Sequence, residues 1–421
     1  MSAKKINVKH NSKPIFKTKK QTGSSVIGII FMLAVLAALV FVGYSVGKPV
    51  LDFLKGDRNT PVGKNDPLPP EPPSVSLPEV SKPITSADES ETDATIPEEE
   101  VRTDSETNVD NAVSRTNSVY YISYPKDSLV DYQDYILSNI DTAKADGYTG
   151  VCVELILNGG GVAYTAQSSK AIEAGAVVQN AVDLSAIKSA ADGLKLYARV
   201  SALSDNIASW FDKGISYMIE GSESRWLDNS VSKGGKPWIS PYAKGAGEYI
   251  GGLVNEISAA GFDGIVVGEL EFPPLRQSDM SLIGSPVQAS DRYKALASFA
   301  ETVYHGFGTA KEFYIEVDAE DIISGKAEIL TDPDALCTSN VYVSINLSTM
   351  NKRIRRADGT EVSFEGLNDL YLLKTVFRLV DEALSGSGIK AIPMVTGCEL
   401  TDELSAQIAD ICADKTAIVG R

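Results

Sequence analysis

The stretch AGEYIGGLVNEISAAGFDGIVVGELEF (246–272) decides the fold, because a helical pattern in it ends at a glycine and an apolar strand follows at once. The first part has apolar residues at helical spacing and stops at Gly261. The second part is a nearly continuous apolar run, which is typical of a strand that helices cover in a parallel sheet. The stretch therefore predicts one helix and one strand of an α/β protein.

The same alternation repeats along residues 117–421. The predicted strands are VYYIS (119–123), GVCVELI (150–156), LKLYARV (194–200), DGIVVGELEF (263–272), EFYIEV (312–317), VYVSIN (341–346), IKAIPMV (389–395) and TAIVG (416–420). The predicted helices lie near 131–147, 184–193, 246–261, 289–306, 370–386 and 402–414. Eight units favour an α/β fold of the (β/α)8 TIM-barrel type over an open doubly wound sheet. Residues 159–161 (GGG) lack the lysine of a phosphate-binding loop and predict a turn.

The first 116 residues show a different organisation. Residues 1–24 contain seven lysines and no acid, which predicts a basic cytoplasmic tail. Residues 25–47 are apolar over roughly 33 Å of helix, long enough for one transmembrane helix; a cleaved signal peptide is the alternative. Residues 48–116 are rich in proline and acid, and we expect a disordered linker. The sequence thus predicts a single-pass protein of the cell membrane whose domain, 117–421, lies outside the cytoplasm.

Composition excludes several kinds of function for that domain. It holds 41 of the 56 acidic residues and 25 of the 39 basic residues, a net charge of −16, which disfavours nucleic acid as a partner. With two histidines in the chain, a Ser/His/Asp triad or a His-ligated zinc site is not expected. The four cysteines lack C-x-x-C spacing, and a bridge between Cys398 and Cys412 stays open. We expect no cofactor and no metal.

Acidic residues recur where predicted strands end. In a barrel, inward-facing side chains near the carboxyl ends of the strands line the mouth, where active sites form. The predicted catalytic residues are Glu154, Glu269, Glu271, Glu316 and Asp318. When carboxyls lie close together their pKa values differ, so that one can stay protonated while another is ionised. Such a pair, without a cofactor, is typical of glycoside hydrolases. Glu154 and Glu271 form the favoured pair, and Arg199 and Asn346 are expected to orient the sugar.

Other interpretations of these residues stay open. Arg199 could neutralise Glu154 or Glu269 in an ion pair that only orders the barrel, or the acids could hold a divalent cation, although no Asp-x-Asp ligand loop is present. Three aromatic residues of the long segment before the fourth strand are predicted to bind substrate through flat faces that suit sugar rings, with packing of that segment as the alternative. They are Trp226, Trp238 and Tyr242.

Residues 226–273 resemble the signature of a glycoside-hydrolase-like TIM-barrel domain of bacterial envelope proteins, a family long catalogued as a domain of unknown function. The matching positions are Trp226, Asp228, Trp238, Pro241, Tyr242, Gly261, Phe262, Asp263, Ile265, Phe272 and Pro273. Residues 150–164 and 197–205 are similar to two earlier motifs of the family, with Arg199 and Asp205 matching. The resemblance spans most of residues 118–400 and implies a barrel that acts on glycans.

The sequence departs from the family pattern at strand ends. Glu154 stands for an aspartate, Ile156 stands for a lysine, and the segment Gly268-Glu269-Leu270-Glu271 replaces D-Y-x-R. Two hypotheses follow. The domain is either a membrane-anchored, extracytoplasmic glycoside hydrolase that acts on cell-envelope polysaccharide, or an inactive barrel that binds cell-wall glycan or serves as a scaffold. A protein-interaction domain with an exposed apolar patch is a third.

Overall fold

A closed parallel barrel dominates the computed structural model, which describes residues 118–125, 130–412 and 415–420. The strands are β1 (Ser118–Ile122), β2 (Gly150–Ile156), β3 (Val162–Tyr164), β4 (Val177–Val182), β5 (Lys195–Ser201), β6 (Gly264–Gly268), β7 (Glu312–Asp318), β8 (Asn340–Asn346), β9 (Arg353–Arg355), β10 (Glu361–Ser363), β11 (Lys390–Thr396) and β12 (Ala417–Val419). Eight of them pair in parallel in the order β1, β2, β5, β6, β7, β8, β11, β12, and β12 returns to β1. These are the eight predicted strands, so the predicted barrel is confirmed.

Helices follow the barrel strands, as the sequence predicts. The α-helices are Tyr132–Ala145, Ser169–Glu173, Leu184–Ala190, Asn206–Phe211, Lys244–Ala259, Gln277–Ile283, Ser285–Gln288, Tyr293–Phe307, Ala319–Ser324, Asp369–Leu384 and Asp402–Cys412, and the 3₁₀ turns are Lys213–Ile215, Val231–Lys233, Glu328–Leu330 and Pro333–Ala335. Several of the α-helices begin after a residue whose side chain caps the helix. For example, Asp131 and Asn368 accept hydrogen bonds from backbone amides three residues further along the chain. All six predicted helices are present.

Two apolar layers fill the barrel and cover it. Alternate residues of the strands point inward and pack the interior, among them Cys152 of β2 and Tyr197 of β5, while Val151 and Val153 belong to the layer under the helices. The same alternation carries Glu154 and Arg199, each two residues beyond an interior residue, to the inner face near the carboxyl ends. Strand period alone therefore brings charged groups to the mouth.

Short elements that the sequence did not predict interrupt this pattern. β3 pairs antiparallel with β2, and β4 extends the sheet from β3. β9 and β10 form a separate hairpin. β6 ends at Gly268, earlier than the predicted limit of 272. The GGG segment is a turn, as predicted, and Gly160 (φ 97°) lies so close to Asp205 that an added Cβ would be 1.9 Å from its Oδ1.

Several predictions fall outside the described residues. These are the cytoplasmic tail (1–24), the transmembrane helix (25–47) and the linker (48–116). Within the part of the chain that the structure describes, no helix combines the length and the apolar character that crossing a membrane requires. The four cysteines, including Cys398 and Cys412, are free thiols in this structure.

Candidate functional site at the barrel mouth

Arg199 of β5 joins carboxylates from three parts of the barrel. Its Nε donates to Oε2 of Glu316 at 2.7 Å, Nη1 donates to Oε1 of Glu154 at 3.1 Å, and Nη2 donates to Oε1 of Glu269 at 2.7 Å. The Arg199 side chain is 8% exposed. The ion-pair interpretation therefore describes what Arg199 does here, and it extends to Glu316. Arg199 also lines the smaller cavity of the mouth, and its role in orienting a sugar stays a prediction.

Burial and charge oppose each other in this cluster. Burial favours the neutral form of Arg199, but Glu316 and Glu269 outweigh it and hold the pKa of the guanidinium well above its ordinary value. Burial raises the pKa of Glu154, although Arg199 and the Tyr124 backbone amide, which donates to Oε2 at 2.9 Å, work in the other direction. Three carboxylates around one cation leave the cluster negative when all are ionised.

Glu269 has an unusual backbone conformation. Its φ of 46° is the one positive value among the non-glycine residues that the structure describes. Such strain is commonly stored where function requires a fixed side chain. Oε1 also accepts from Nδ2 of Asn158 at 3.4 Å, and Asn158 Oδ1 accepts from Ser204. Oε2 is buried and has no hydrogen-bond partner among the described residues, so one oxygen of a fixed carboxylate is free.

The larger cavity at the mouth has a volume of about 720 Å³. It is lined by Asn158, Glu269, Leu270, Glu271, Phe272, Pro273, Pro274, Leu275, Arg292, Glu316, Val317, Asp318, Asp321, Lys326, Ala327, Glu328, Ile329 and Ser344. It is open to solvent and holds four of the five predicted catalytic residues. A ligand of several sugar-sized groups fits this volume.

Glu271 differs from the other acids because its carboxyl has no hydrogen bond or ion pair with any described residue. It is exposed in the cleft. Desolvation by the crowded cleft, followed by the charges of Asp321 and Glu269, raises its pKa to about 7. Asp318 accepts from the Glu320 amide at 2.7 Å, and desolvation raises its pKa to about 6. The cleft thus contains two carboxyls whose pKa values are raised.

A smaller cavity of about 280 Å³ adjoins the larger one. Both cavities are lined by Asn158, Glu269, Glu316, Asp318 and Ser344, whereas Glu154 and Asn346 line the smaller cavity and Glu271 lines the larger. The structure therefore divides the favoured pair, Glu154 and Glu271, between neighbouring cavities. Asn346 is exposed there, and its Oδ1 accepts from Ser348 Oγ at 2.8 Å.

The predicted aromatic sugar-binding residues lie elsewhere. Trp226 is 3% exposed, so its ring cannot offer a face to a sugar, and that prediction is wrong for this residue. Trp238 donates from Nε1 to Asp228, and Tyr242 stacks on Phe272 with ring centroids 6.1 Å apart. Neither lines either of the two cavities, whereas Phe272 lines the larger one. The packing alternative accounts for this segment.

Five polar lining residues beyond the strand ends were missed in the sequence: Asn158, Arg292, Asp321, Lys326 and Glu328. They lie in turns and helices beyond the strand ends, where the alternation of a strand no longer indicates direction. The glycine run at 159–161 predicts a turn, and this turn places Asn158 at the mouth of the barrel. In the described part of the chain, no group of three or more His, Cys, Asp and Glu side chains is arranged to hold a metal ion.

Comparison with known proteins gives distant structural matches. No family model and no curated protein matches the chain. A hypothetical protein from Ruminiclostridium thermocellum is 14% identical, with 47% of this chain and 96% of that chain covered and a TM-score of 0.38. The glycoside hydrolase domain of PelA from Pseudomonas aeruginosa is 14% identical, with 72% and 94% covered and a TM-score of 0.33.

The alpha-L-fucosidase isoenzyme 2 from Paenibacillus thiaminolyticus is 11% identical, with 73% of this chain and 46% of that chain covered and a TM-score of 0.46. Glycoside hydrolases thus recur among the structural neighbours. At this distance they are similar in fold alone, and the barrel assignment rests on the strand pairing of this chain. Membership of the envelope family stays a prediction.

Proposed function

We propose that this barrel cleaves glycosidic bonds in cell-envelope polysaccharide by carboxyl acid/base chemistry. One observation carries the proposal: Glu271, which has no hydrogen bond or ion pair with the described residues, lies in an open cleft beside carboxylates that Arg199 contacts. Desolvation and the neighbouring acids raise its pKa to about 7, which suits a proton donor. Anchoring by residues 25–47 and a location outside the cytoplasm belong to the same proposal and are supported by the lysine-rich N-terminus.

In this mechanism, Glu271 donates its proton to the oxygen of the leaving sugar as the glycosidic bond breaks. An ionised carboxylate on the other side of the anomeric carbon stabilises the positive charge that develops there, and it attacks that carbon or activates the water that does. Glu269 suits this role better than Glu154, because it lines the same cavity as Glu271. Arg199 donates from Nη2 to Oε1 of Glu269 and fixes its position.

A second candidate is a barrel that binds glycan without cleaving it. The observation that favours it is the ion-pair cluster, in which Arg199 contacts three of the five predicted catalytic carboxylates. In that case Arg199 orders the mouth, and Glu271 only donates a hydrogen bond to the bound sugar.

The test is to incubate the full chain with purified cell-wall glycan and to measure new reducing ends. We expect cleavage by the unchanged protein and a loss of at least about 100-fold in Glu271→Gln, because general acid catalysis contributes at least that factor. Glu301→Gln, at a glutamate that is 64% exposed on an outer helix, is the matched control. Glycan binding without cleavage would favour the second candidate. Equal cleavage by Glu271→Gln would overturn the assignment of Glu271.

A further inference from the structure

The cleft carries a large excess of negative charge. Its two cavities are lined by three cations and seven carboxylates, namely Arg199, Arg292, Lys326, Glu154, Glu269, Glu271, Glu316, Asp318, Asp321 and Glu328. The formal charge of this lining is −4 when every group is ionised. A cleft of one sign concentrates ligands of the opposite sign.

Two of the three cations are already engaged with protein acids. Arg199 binds its three glutamates, and Nε of Arg292 donates to Oε2 of Glu328 at 2.6 Å. Arg292 also lies over the ring of Phe272, with the guanidinium carbon 5.0 Å from the centroid. Neither cation is available to a negatively charged ligand without breaking these contacts.

The remaining acids form a wall without a paired cation. Among the described residues, no side-chain ion pair involves Glu271, Asp318 or Asp321. Desolvation raises the pKa of each of the three. Negative neighbours add to the effect at Glu271 and Asp318, whereas the charge of Lys326 acts in the opposite direction on Asp321. A positive group placed among them would relieve that repulsion, because an opposite charge within a few ångströms favours the ionised carboxylate.

The shape of the cleft indicates an organic ligand. Apolar side chains, including Leu270, Leu275 and Ile329, line the same cavity of about 720 Å³ as the acids. Sugar rings combine C–H surfaces with polar substituents and so match a wall of this mixed character. A bare metal ion would leave the apolar part of the wall without a contact.

We propose that the cleft selects a polysaccharide that bears protonated amino groups, such as hexosamine units without an N-acetyl group, over neutral or acidic glycans. The inference rests on the proposed function and names its substrate class. The ammonium groups donate hydrogen bonds to Asp318 and Asp321, and the carbon faces of the rings contact the apolar wall. The net charge of −16 over residues 117–421 attracts such a polymer and repels polymers of uronic acid or phosphate.

Calorimetric titration of the full chain tests the inference. The ligands are a glucosamine oligomer, its fully N-acetylated form of equal length, and a uronic-acid oligomer, at about pH 6, where the amines carry charge and a bound ammonium group favours the ionised form of the cleft acids. We expect the glucosamine oligomer to bind at least about tenfold more tightly than the N-acetylated form, with a preference that decreases at high salt. Equal or tighter binding of the N-acetylated or uronic-acid oligomer would overturn the inference.

Asp321→Asn separates contact in the cleft from attraction by the whole surface. We expect about three- to fivefold weaker binding of the glucosamine oligomer and unchanged binding of the N-acetylated form. Asp402→Asn removes the same charge from an exposed position on an outer helix and is expected to change neither. Equal weakening by both variants would overturn the cleft assignment. Because binding is measured apart from cleavage, a selective but inactive barrel would refute only the hydrolase proposal, and cleavage of neutral glycan alone would refute only this inference.

Discussion

Replacing Arg199 by methionine tests how the mouth is held together. The substitution keeps an unbranched side chain of similar length but removes the cation that three carboxylates contact within 3.1 Å. The side chain of Arg199 is 8% exposed, and those of Glu154, Glu269 and Glu316 are 11–17% exposed. The variant therefore leaves three poorly hydrated acids with no compensating charge.

The expected cost follows from that burial. Removing one partner of a buried ion pair costs about 3–5 kcal/mol, because the remaining charge stays desolvated. Because the three remaining acids repel one another, we expect a cost at the upper end of this range. That cost corresponds to a fall in melting temperature of roughly 10 °C or more. Loss of Arg199 also removes a charge that lowers the pKa of Glu154, so burial raises that pKa further above its unfolded value. Such a group destabilises the fold as pH rises, so the penalty should be largest near neutral pH and should shrink on acidification.

Thermal unfolding of both proteins, followed by circular dichroism at about pH 7 and about pH 4, measures these effects. Arg353→Met is the control, since Arg353 is 59% exposed and its pairs with Glu361 and Glu365 should contribute less than about 1 kcal/mol. Adding Glu316→Gln to the Arg199 variant should recover part of the loss. A pH-independent penalty no larger than that of the control would refute the role given to Arg199.

Three further results are expected. Gly160→Ala should lower the free energy of unfolding by more than about 2 kcal/mol, since the new Cβ would be 1.9 Å from Asp205. In the control Gly386→Ala, the new Cβ would have no atom within 4 Å, so the variant should lose only the energy of backbone strain. Equal losses of the two variants in urea unfolding would contradict this. The raised pKa of Glu271 destabilises the folded state of the unchanged protein as pH rises from about 4.5 to 7, and Glu271→Gln removes this effect. The variant's melting temperature should therefore rise relative to that of the unchanged protein across this pH range. A difference in melting temperature that does not change with pH would argue against the raised pKa. Cys152, which is fully buried with its thiol pKa raised by burial, should react with a thiol reagent only as the protein unfolds, and fast labelling of the native protein would contradict its placement.

The barrel could be predicted because each strand carries its own signal. Largely apolar runs of five to ten residues, bounded by helical segments, identify the strands of a parallel sheet locally. Alternation along each strand then predicts that Glu154 and Arg199 face inward. β3 escaped prediction because three residues are too few to show a period. β4 was not predicted because most of its residues are exposed or half-buried, as in a loop, so it lacks the apolar run of a buried strand.

The site was only partly predictable, since its geometry depends on where alternation stops. Glu269 and Glu271 were assigned to one strand face, but β6 ends at Gly268 and the left-handed backbone of Glu269 redirects the chain. Glu269 consequently contacts Arg199, while Glu271 reaches the larger cavity. Burial of Trp226 depends on Tyr217 and Val287, whose proximity no local pattern reveals.

The central claim is that the carboxyl of Glu271, in the open cleft, is largely protonated up to about neutral pH. Carbon-13 NMR titration of the side-chain carboxyls in the full chain, with Glu271→Gln used to assign the signal, measures the pKa of Glu271 directly. The structure predicts a value of about 7. A value near 4.5, the ordinary figure for glutamate, would show that this carboxyl is ionised at neutral pH and would contradict its role as proton donor.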